Sequence, residues 1–353
     1  MQKYPKFKAA VMHVAPVFLD TARTVDKVCA LIEEAAGNGA ELMVFSETFI
    51  SAFPIWSALN APIHNHGWFR KLAASAIMVP GPEIDKIAAT ARKVGAIVSI
   101  GINEGSQASV GCIWNSNILI GSDGTILNHH RKLVPTFWEK MAWANGDGAG
   151  LKVVETDIGK IGMLICGENF NPLARFAMIA QGEQIHLSSY PPVWPAHDPK
   201  ESSYSVAEGI RIRANAHALE AKVFNLVAAS FMDGPMLEQL SAGNAESRRI
   251  LEDSPRGISM IVSPTGAVIA GPAQNEEAIV YGDIDTAECV EPKQLHDLSG
   301  YYNRFDVFKL TIDRSANQPA IFEGDENTRD AAASLAARED SQESGRIYSL
   351  RKS

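Results

Sequence analysis

The chain has 353 residues, 46% of them hydrophobic, and a formal net charge of -9. That length and apolar content allow a sizeable core in one large domain or two small ones, and the negative balance argues against a nucleic-acid partner. Four widely spaced cysteines, Cys29, Cys112, Cys166 and Cys289, with no CxxC pair, argue against a disulfide framework or a zinc site and for a reducing cytoplasm.

In chain order, Ala9 to Val14 reads as a strand, because its apolar run is cut by His13 and Pro16 and does not fit a signal peptide. Thr21 to Ala36 reads as a helix with Asp20 as N-cap and Val25, Val28, Cys29 and Ile32 along one side, which makes Cys29 a core residue. Glu41 to Ser46 is a strand, Ile84, Ile87, Ala88 and Ala91 stripe a helix that ends before Gly95, and Ala96 to Gly101 is the next strand. Ile113 to Ile120 and Thr125 to His129 form a hairpin about Ser122-Asp123-Gly124, where Asp-Gly supplies the turn. A strand through Ile161, Met163, Leu164 and Ile165 leads to Cys166. Asn171 and Pro172 then open a helix striped by Leu173, Phe176, Ala177 and Ala180, with Gly182 past its end.

The order then repeats: strand Gln184 to Ser188, helix Ser205 to Val223, strand Phe224 to Ala229. That helix carries Ile212, Ala216, Leu219 and Val223 on one face, and Val206 and Ile210 among charges on a face that reads as exposed and suited to contact between copies. Ser259 to Ser263 and Ala267 to Ala270 flank Pro264-Thr265-Gly266, and Ile279 to Ile284 closes the core. Alternating strands and helices indicate an α/β layered domain. Beyond Ile312 the chain turns polar, yet it keeps the apolar groups Pro319, Ile321, Phe322, Ile347, Tyr348 and Leu350. No apolar stretch is long enough to span a bilayer.

Cys166 stands at the end of an apolar strand just before a helix, a junction that holds a side chain rigidly and offers orphan N–H groups that lower a thiol's pKa. ELMVFSETF ends an apolar strand near Glu47, and HHRKLVPTFWEK carries Lys132. The three ionisable groups can converge if their strands neighbour one another in a sheet. No G-x-S-x-G, Walker loop, H-E-x-x-H or G-x-G-x-x-G competes with them. His64 and His66 lie in a loop, and His129 and His130 alternate faces of a strand, so the latter two cannot share a metal.

SETF with Glu47, HRKLVPT with Lys132 and ICGEN with Cys166, in that order, resemble the Glu, Lys and Cys motifs of the nitrilase superfamily. CGEN, NPLAR and SSYPPVWP (188 to 195) resemble its nitrilase branch more than its amidase or carbamoylase branches. Glu139 in PTFWEK matches a further glutamate that the superfamily places beside the triad. The branch usually has tryptophan directly after the nucleophile, where this chain has Gly167.

The resemblance implies a four-layer αββα sandwich that pairs into an αββααββα dimer. It also implies a catalytic domain over residues 1–312, while the tail, 313–353, reads either as a solvated segment or, from its apolar groups, as one that helps to hold an assembly together. The expected partners are a small nitrile, water and copies of the chain, in a homo-oligomer built on the dimer that can extend to a spiral or filament. No cofactor, metal, nucleic acid or membrane is expected. Candidate substrate-contacting residues are Gly167, Trp138, Phe53, Tyr190 and Trp194.

The chemistry fits these residue types, because a nitrile carbon is a weak electrophile for which a thiolate is a better nucleophile than a neutral hydroxyl. Glu47 serves as base, Cys166 as nucleophile and Lys132 as the stabiliser of developing negative charge, with Glu139 holding Lys132 or sharing its proton traffic. The same triad also serves amide or N-carbamoyl hydrolysis, or hydration that stops at the amide. A catalytically silent assembly protein is the remaining alternative.

Overall fold

A computed structural model describes residues 4–202, 204–318 and 320. Pro319, Ile321, Phe322, Ile347, Tyr348 and Leu350 lie outside the described residues. A compact unit spans Met1–Ala316. Among the described residues, no helix is long and apolar enough to cross a membrane.

The first half of the chain supplies β1 (Lys6–His13), α1 (Thr21–Gly37), β2 (Ala40–Val44), α2 (Trp56–Leu59), α3 (His66–Ser75), α4 (Pro82–Val94), β3 (Ile97–Gly105), β4 (Ile113–Ile120) and β5 (Ile126–Arg131). The second supplies β6 (Val154–Thr156), β7 (Gly159–Ile165), α5 (Pro172–Ile179), β8 (Ile185–Tyr190), α6 (Val206–Ala221), β9 (Phe224–Ala229), α7 (Gly234–Ser241), α8 (Ala245–Asp253), β10 (Ser259–Val262), β11 (Val268–Ala273) and β12 (Ala278–Asp285). Two six-stranded sheets result, ordered β12-β1-β2-β3-β4-β5 and β11-β10-β9-β8-β7-β6. Each has three parallel central strands, β1-β2-β3 and β7-β8-β9, flanked by antiparallel ones. The last strand, β12, returns to the first sheet and pairs with β1.

The layers follow from which faces are apolar. Phe7, Val11, Leu42 and Val44 of the first sheet meet Met163, Leu187, Leu226 and Ile261 of the second in one buried cluster, so the sheets pack face to face. Val25, Val28 and Ile32 of α1 and Ile84 and Ile87 of α4 cover the other face of the first sheet. Asp20 caps α1 by accepting from Arg23 N at 3.0 Å, and the partly buried Cys29 packs against this cluster. Helices α5 and α6 cover the second sheet through Ala174, Ala177 and Met178, and through Ile210, Ala214 and Ala218. The architecture is therefore α-β-β-α.

Two helical faces differ from the sequence reading. On α6 the residues turned inward are Val206, Ile210, Arg213, Ala214 and His217, while Ile212 and Leu219 are 61% and 48% exposed. On α5, Leu173 is 61% exposed. These helices carry apolar side chains on more than one face, so periodicity marks a helix without choosing which face meets the sheet. Helices α2, α3, α7 and α8 and strand β6 were not visible as periodic segments. The four helices contribute Trp56, Leu72, Met236, Leu240 and Leu251 to a separate apolar cluster with Phe53, Trp138 and Trp143.

Candidate active site

Glu47 follows β2, Lys132 directly follows β5 and Cys166 directly follows β7. Their strands do not neighbour one another: β3 and β4 separate β2 from β5, and β7 belongs to the other sheet. Convergence comes instead from chain segments that leave both sheets at the same end. Lys132 N bonds Asn115 O at 2.8 Å, which continues the β4–β5 ladder and sets the lysine's position. Gly101 of β3 lies so close to the loop carrying Glu47 that a Cβ there would sit 2.2 Å from Ser46 O and 2.5 Å from Thr48 N. Only glycine lets that loop cross β3.

Lys132 Nζ donates to Glu47 Oε1 at 2.8 Å and to Glu139 Oε2 at 2.6 Å. All three side chains are at most 1% exposed. Asn115 Nδ2 also donates to Glu47 Oε1, at 2.7 Å, while Glu47 Oε2 has no hydrogen-bond partner. Glu139 is held by its own turn, since its carboxylate accepts Thr136 N at 2.8 Å, and its second oxygen accepts Trp194 Nε1 at 3.1 Å. One carboxylate oxygen from each glutamate and Cys166 Sγ all lie within 4.8 Å of one another. Although that spacing resembles a metal-ligand set, the Lys132 ammonium already bridges the two carboxylates.

Burial raises the Glu47 pKa, Lys132 opposes it and Glu139 adds to it, leaving the carboxyl at about 7. Burial disfavours the Lys132 cation, but Glu139 and Glu47 outweigh it and keep the ammonium protonated. For Cys166 the structure corrects the sequence reading: burial, reinforced by Glu47, pushes the thiol well above its ordinary value against the pull of Lys132. The reason is local, because Cys166 begins a 3-10 turn, Cys166–Phe170, and α5 starts only at Pro172. A resting neutral thiol therefore faces a carboxylate poised near neutrality. Backbone strain gathers here as well, with positive φ at Cys166 (46°), at Thr48 beside Glu47 (44°) and at Phe137 beside Glu139 (52°).

Glu168 and Asn115, unassigned from sequence, complete the frame. Glu168 Oε2 accepts Ile165 N at 2.7 Å and His130 Nε2 at 2.8 Å, and its Oε1 accepts Leu133 N at 2.7 Å. One carboxylate thus ties the residue before Cys166 to both flanks of Lys132. The only sequence sign was its place in CGEN. His129 turns the other way and bonds Glu104 at 2.8 Å, whereas His64 and His66 are exposed. Behind Cys166, Asn169 Nδ2 donates to Leu164 O and Cys166 O, and Asn169 Oδ1 meets His186 Nε2 at 3.0 Å. His186 and His217 share the Glu183 carboxylate at 2.8 and 2.6 Å.

The candidate substrate residues divide. Phe53 and Trp138 meet edge to face at 5.8 Å, Trp138 stacks on Trp194 at 5.7 Å, and Tyr190 joins Cys166 in one buried cluster. A Cβ on Gly167 would sit 2.6 Å from Thr136 Oγ1, so this glycine admits the turn that carries Glu139.

The family model for carbon-nitrogen hydrolases matches residues 8–294. The chain belongs to the carbon-nitrogen hydrolase family. A nitrilase of Paraburkholderia phymatum is 34% identical over 318 residues, 89% of this chain and 88% of that protein. A bifunctional nitrilase/nitrile hydratase of Lupinus angustifolius is 36% identical over 329 residues, covering 90% and 89%. A Saccharomyces cerevisiae member of branch 10 of the nitrilase superfamily has the same fold, with TM-score 0.64 at 19% identity over 84% of this chain and 96% of that one. This carbon-nitrogen hydrolase is thus a nitrilase-superfamily enzyme of the nitrilase branch.

Proposed function

We propose that the enzyme hydrolyses an organic nitrile to the carboxylic acid and ammonia through a covalent intermediate on Cys166. The observation that carries this reading is a buried thiol within 4.8 Å of a Glu47 carboxylate oxygen, next to an ammonium clamped by Glu47 and Glu139. Glu47 takes the thiol proton as sulfur attacks the nitrile carbon, and the nitrile nitrogen gains a proton to give a thioimidate. Water then adds to that carbon, ammonia leaves, and a thioester remains. A second water, deprotonated by Glu47, cleaves the C–S bond to give the acid and return the thiol. Lys132 and the Gly167 backbone N–H stabilise charge on nitrogen or oxygen, an effect worth about 3 kcal/mol per donor. Glu139 holds Lys132 in place.

Release of some amide is a second outcome, favoured by the bifunctional nitrilase/nitrile hydratases among the relatives. We further propose a homo-oligomer built on a dimer, in which the exposed apolar Phe170, Leu173, Ile212 and Leu219 beside and on α5 and α6 meet a second copy. Four free thiols suit a reducing cytoplasm. A nitrile panel assayed for both ammonia and amide tests the activity: ammonia with acid supports it, and turnover of amides alone contradicts it.

A further inference from the structure

Arg213 lies on the inward side of α6 and is only 9% exposed. A buried guanidinium is normally paired with a carboxylate. The nearby acids are engaged elsewhere: Glu208 with Arg211, Glu183 with His217 and His186, and Glu220 with Arg175. Among the described residues none forms an ion pair with Arg213, and its Nε has no acceptor. The guanidinium lies within hydrogen-bonding reach of the fully buried Tyr190 hydroxyl and of the Tyr204 hydroxyl. Arg213 is therefore a buried cation whose polar neighbours are neutral hydroxyls, with no carboxylate among the described residues to balance its charge.

Its place in the fold gives the unbalanced charge a meaning. Cys166, Tyr190, Ile210 and Ala214 share one buried cluster, so the turn of α6 that carries Arg213 packs against the nucleophile. The guanidinium rests on the ring of Phe170, which ends the turn that Cys166 begins. Lys132, by contrast, is neutralised by two carboxylates and has no charge to spare for a distant substrate group. Burial lowers the Arg213 pKa, partly offset by Tyr190 and Cys166, as expected of a cation without a counter-ion.

Resting on the nitrilase reading, we propose that Arg213, with Tyr190, binds an anionic group of the substrate. The enzyme's preferred substrates are then small nitriles that carry a carboxylate. The planar fork of arginine suits two oxygens of such a group, and the carboxylate supplies the counter-ion that the protein withholds.

The test uses 3-cyanopropanoate and 4-methylpentanenitrile, which pair a carboxylate with an isopropyl group of similar shape. Wild-type enzyme is expected to favour the anion by about tenfold or more in kcat/KM. Arg213→Gln is expected to lower the anion-to-neutral ratio on the order of 100-fold, mostly through KM. Arg213→Lys, which keeps the charge without the fork, should fall between. The wild-type comparison stands even if a variant folds poorly. Equal preference in the wild type, or equal loss on both nitriles in Arg213→Gln, overturns the proposal and leaves Arg213 as a group that tunes the thiol or supports the fold. Turnover of neither nitrile overturns the nitrilase reading itself.

Discussion

Lys132 donates to Glu47 across 2.8 Å at a position where neither side chain is more than 1% exposed. A buried ion pair of this kind is costly to desolvate and gains little as a stability device, so its retention beside a thiol points to chemistry. The pair keeps the lysine charged while burial holds Glu47 near neutrality, with a pKa of about 7.

The acid limb of kcat/KM should therefore bend at about pH 7, the value at which the Glu47 carboxyl takes up its proton. Below that pH the protonated carboxyl cannot accept the thiol proton, and the rate falls tenfold per unit. Because Glu47, Lys132 and Glu139 interact, the bend belongs to the cluster as a whole. Glu47→Gln should lose at least about 1,000-fold in kcat while keeping its fold, since amide and carboxylate are nearly isosteric. A pH–rate profile flat down to pH 5 would remove Glu47 from the role of base.

Glu168 offers a test of how the two sheets are held in register at the site. Glu168→Gln places an NH2 group against donors now facing a carboxylate, Ile165 N, His130 Nε2 and Leu133 N. The expected cost is about 2–3 kcal/mol of stability, together with at least a tenfold loss of kcat as Cys166 and Lys132 lose alignment. Denaturant unfolding and steady-state rates measure the two effects. A stability loss with normal kcat shows that Glu168 serves the fold alone.

Acid should destabilise the enzyme in two stages. Burial keeps His13 and His217 below their ordinary 6.5, so the unfolded chain binds their protons first as pH falls below that value. Burial also opposes ionisation of Glu104 and Glu183, but their partners outweigh it: His129 and Arg131 for Glu104, His186 and His217 for Glu183. Both carboxyls sit at about 2 instead of 4.5. The unfolded state takes up these protons between about 4.5 and 2 while the native state does not, so stability is lost as pH falls through that window. Each carboxyl contributes on the order of 2–3 kcal/mol. Glu47, whose carboxyl is raised to about 7, takes up its proton first in the native state and offsets the upper stage. The test therefore lies in the lower one: a Tm constant from pH 4.5 to 2 contradicts this, and Glu183→Gln should flatten it.

Helix α6 shows what a sequence can and cannot reveal. The helical period and a start near Ser205 were legible, and in the structure Ser205 caps the helix, its Oγ accepting Glu208 N at 3.2 Å. The inward face was not, because Ile210 and Ala214 compete with Ile212 and Leu219 for burial and only the packed sheet decides. The motif residues Glu47, Lys132 and Cys166 stood out by strand ends and resemblance. Asn115, Glu168 and Arg213 did not, since each takes its meaning from a partner more than twenty residues away in sequence, a relation created only by folding.

The outward face of α6 carries its own prediction. Ile212→Asp with Leu219→Asp replaces two exposed apolar side chains by charges, at little cost to the isolated fold. Light scattering should then report smaller particles than wild type. Unchanged mass would place the contact between copies elsewhere.

The most direct test of the central claim is peptide mapping by mass spectrometry after rapid acid quench of the enzyme during turnover of a nitrile. An acyl or thioimidate mass on the peptide containing Cys166, accumulating and decaying at rates that match turnover and absent from Cys166→Ala, is the predicted result. Turnover that persists in Cys166→Ala, or an adduct mapped to Cys29, Cys112 or Cys289, would contradict it.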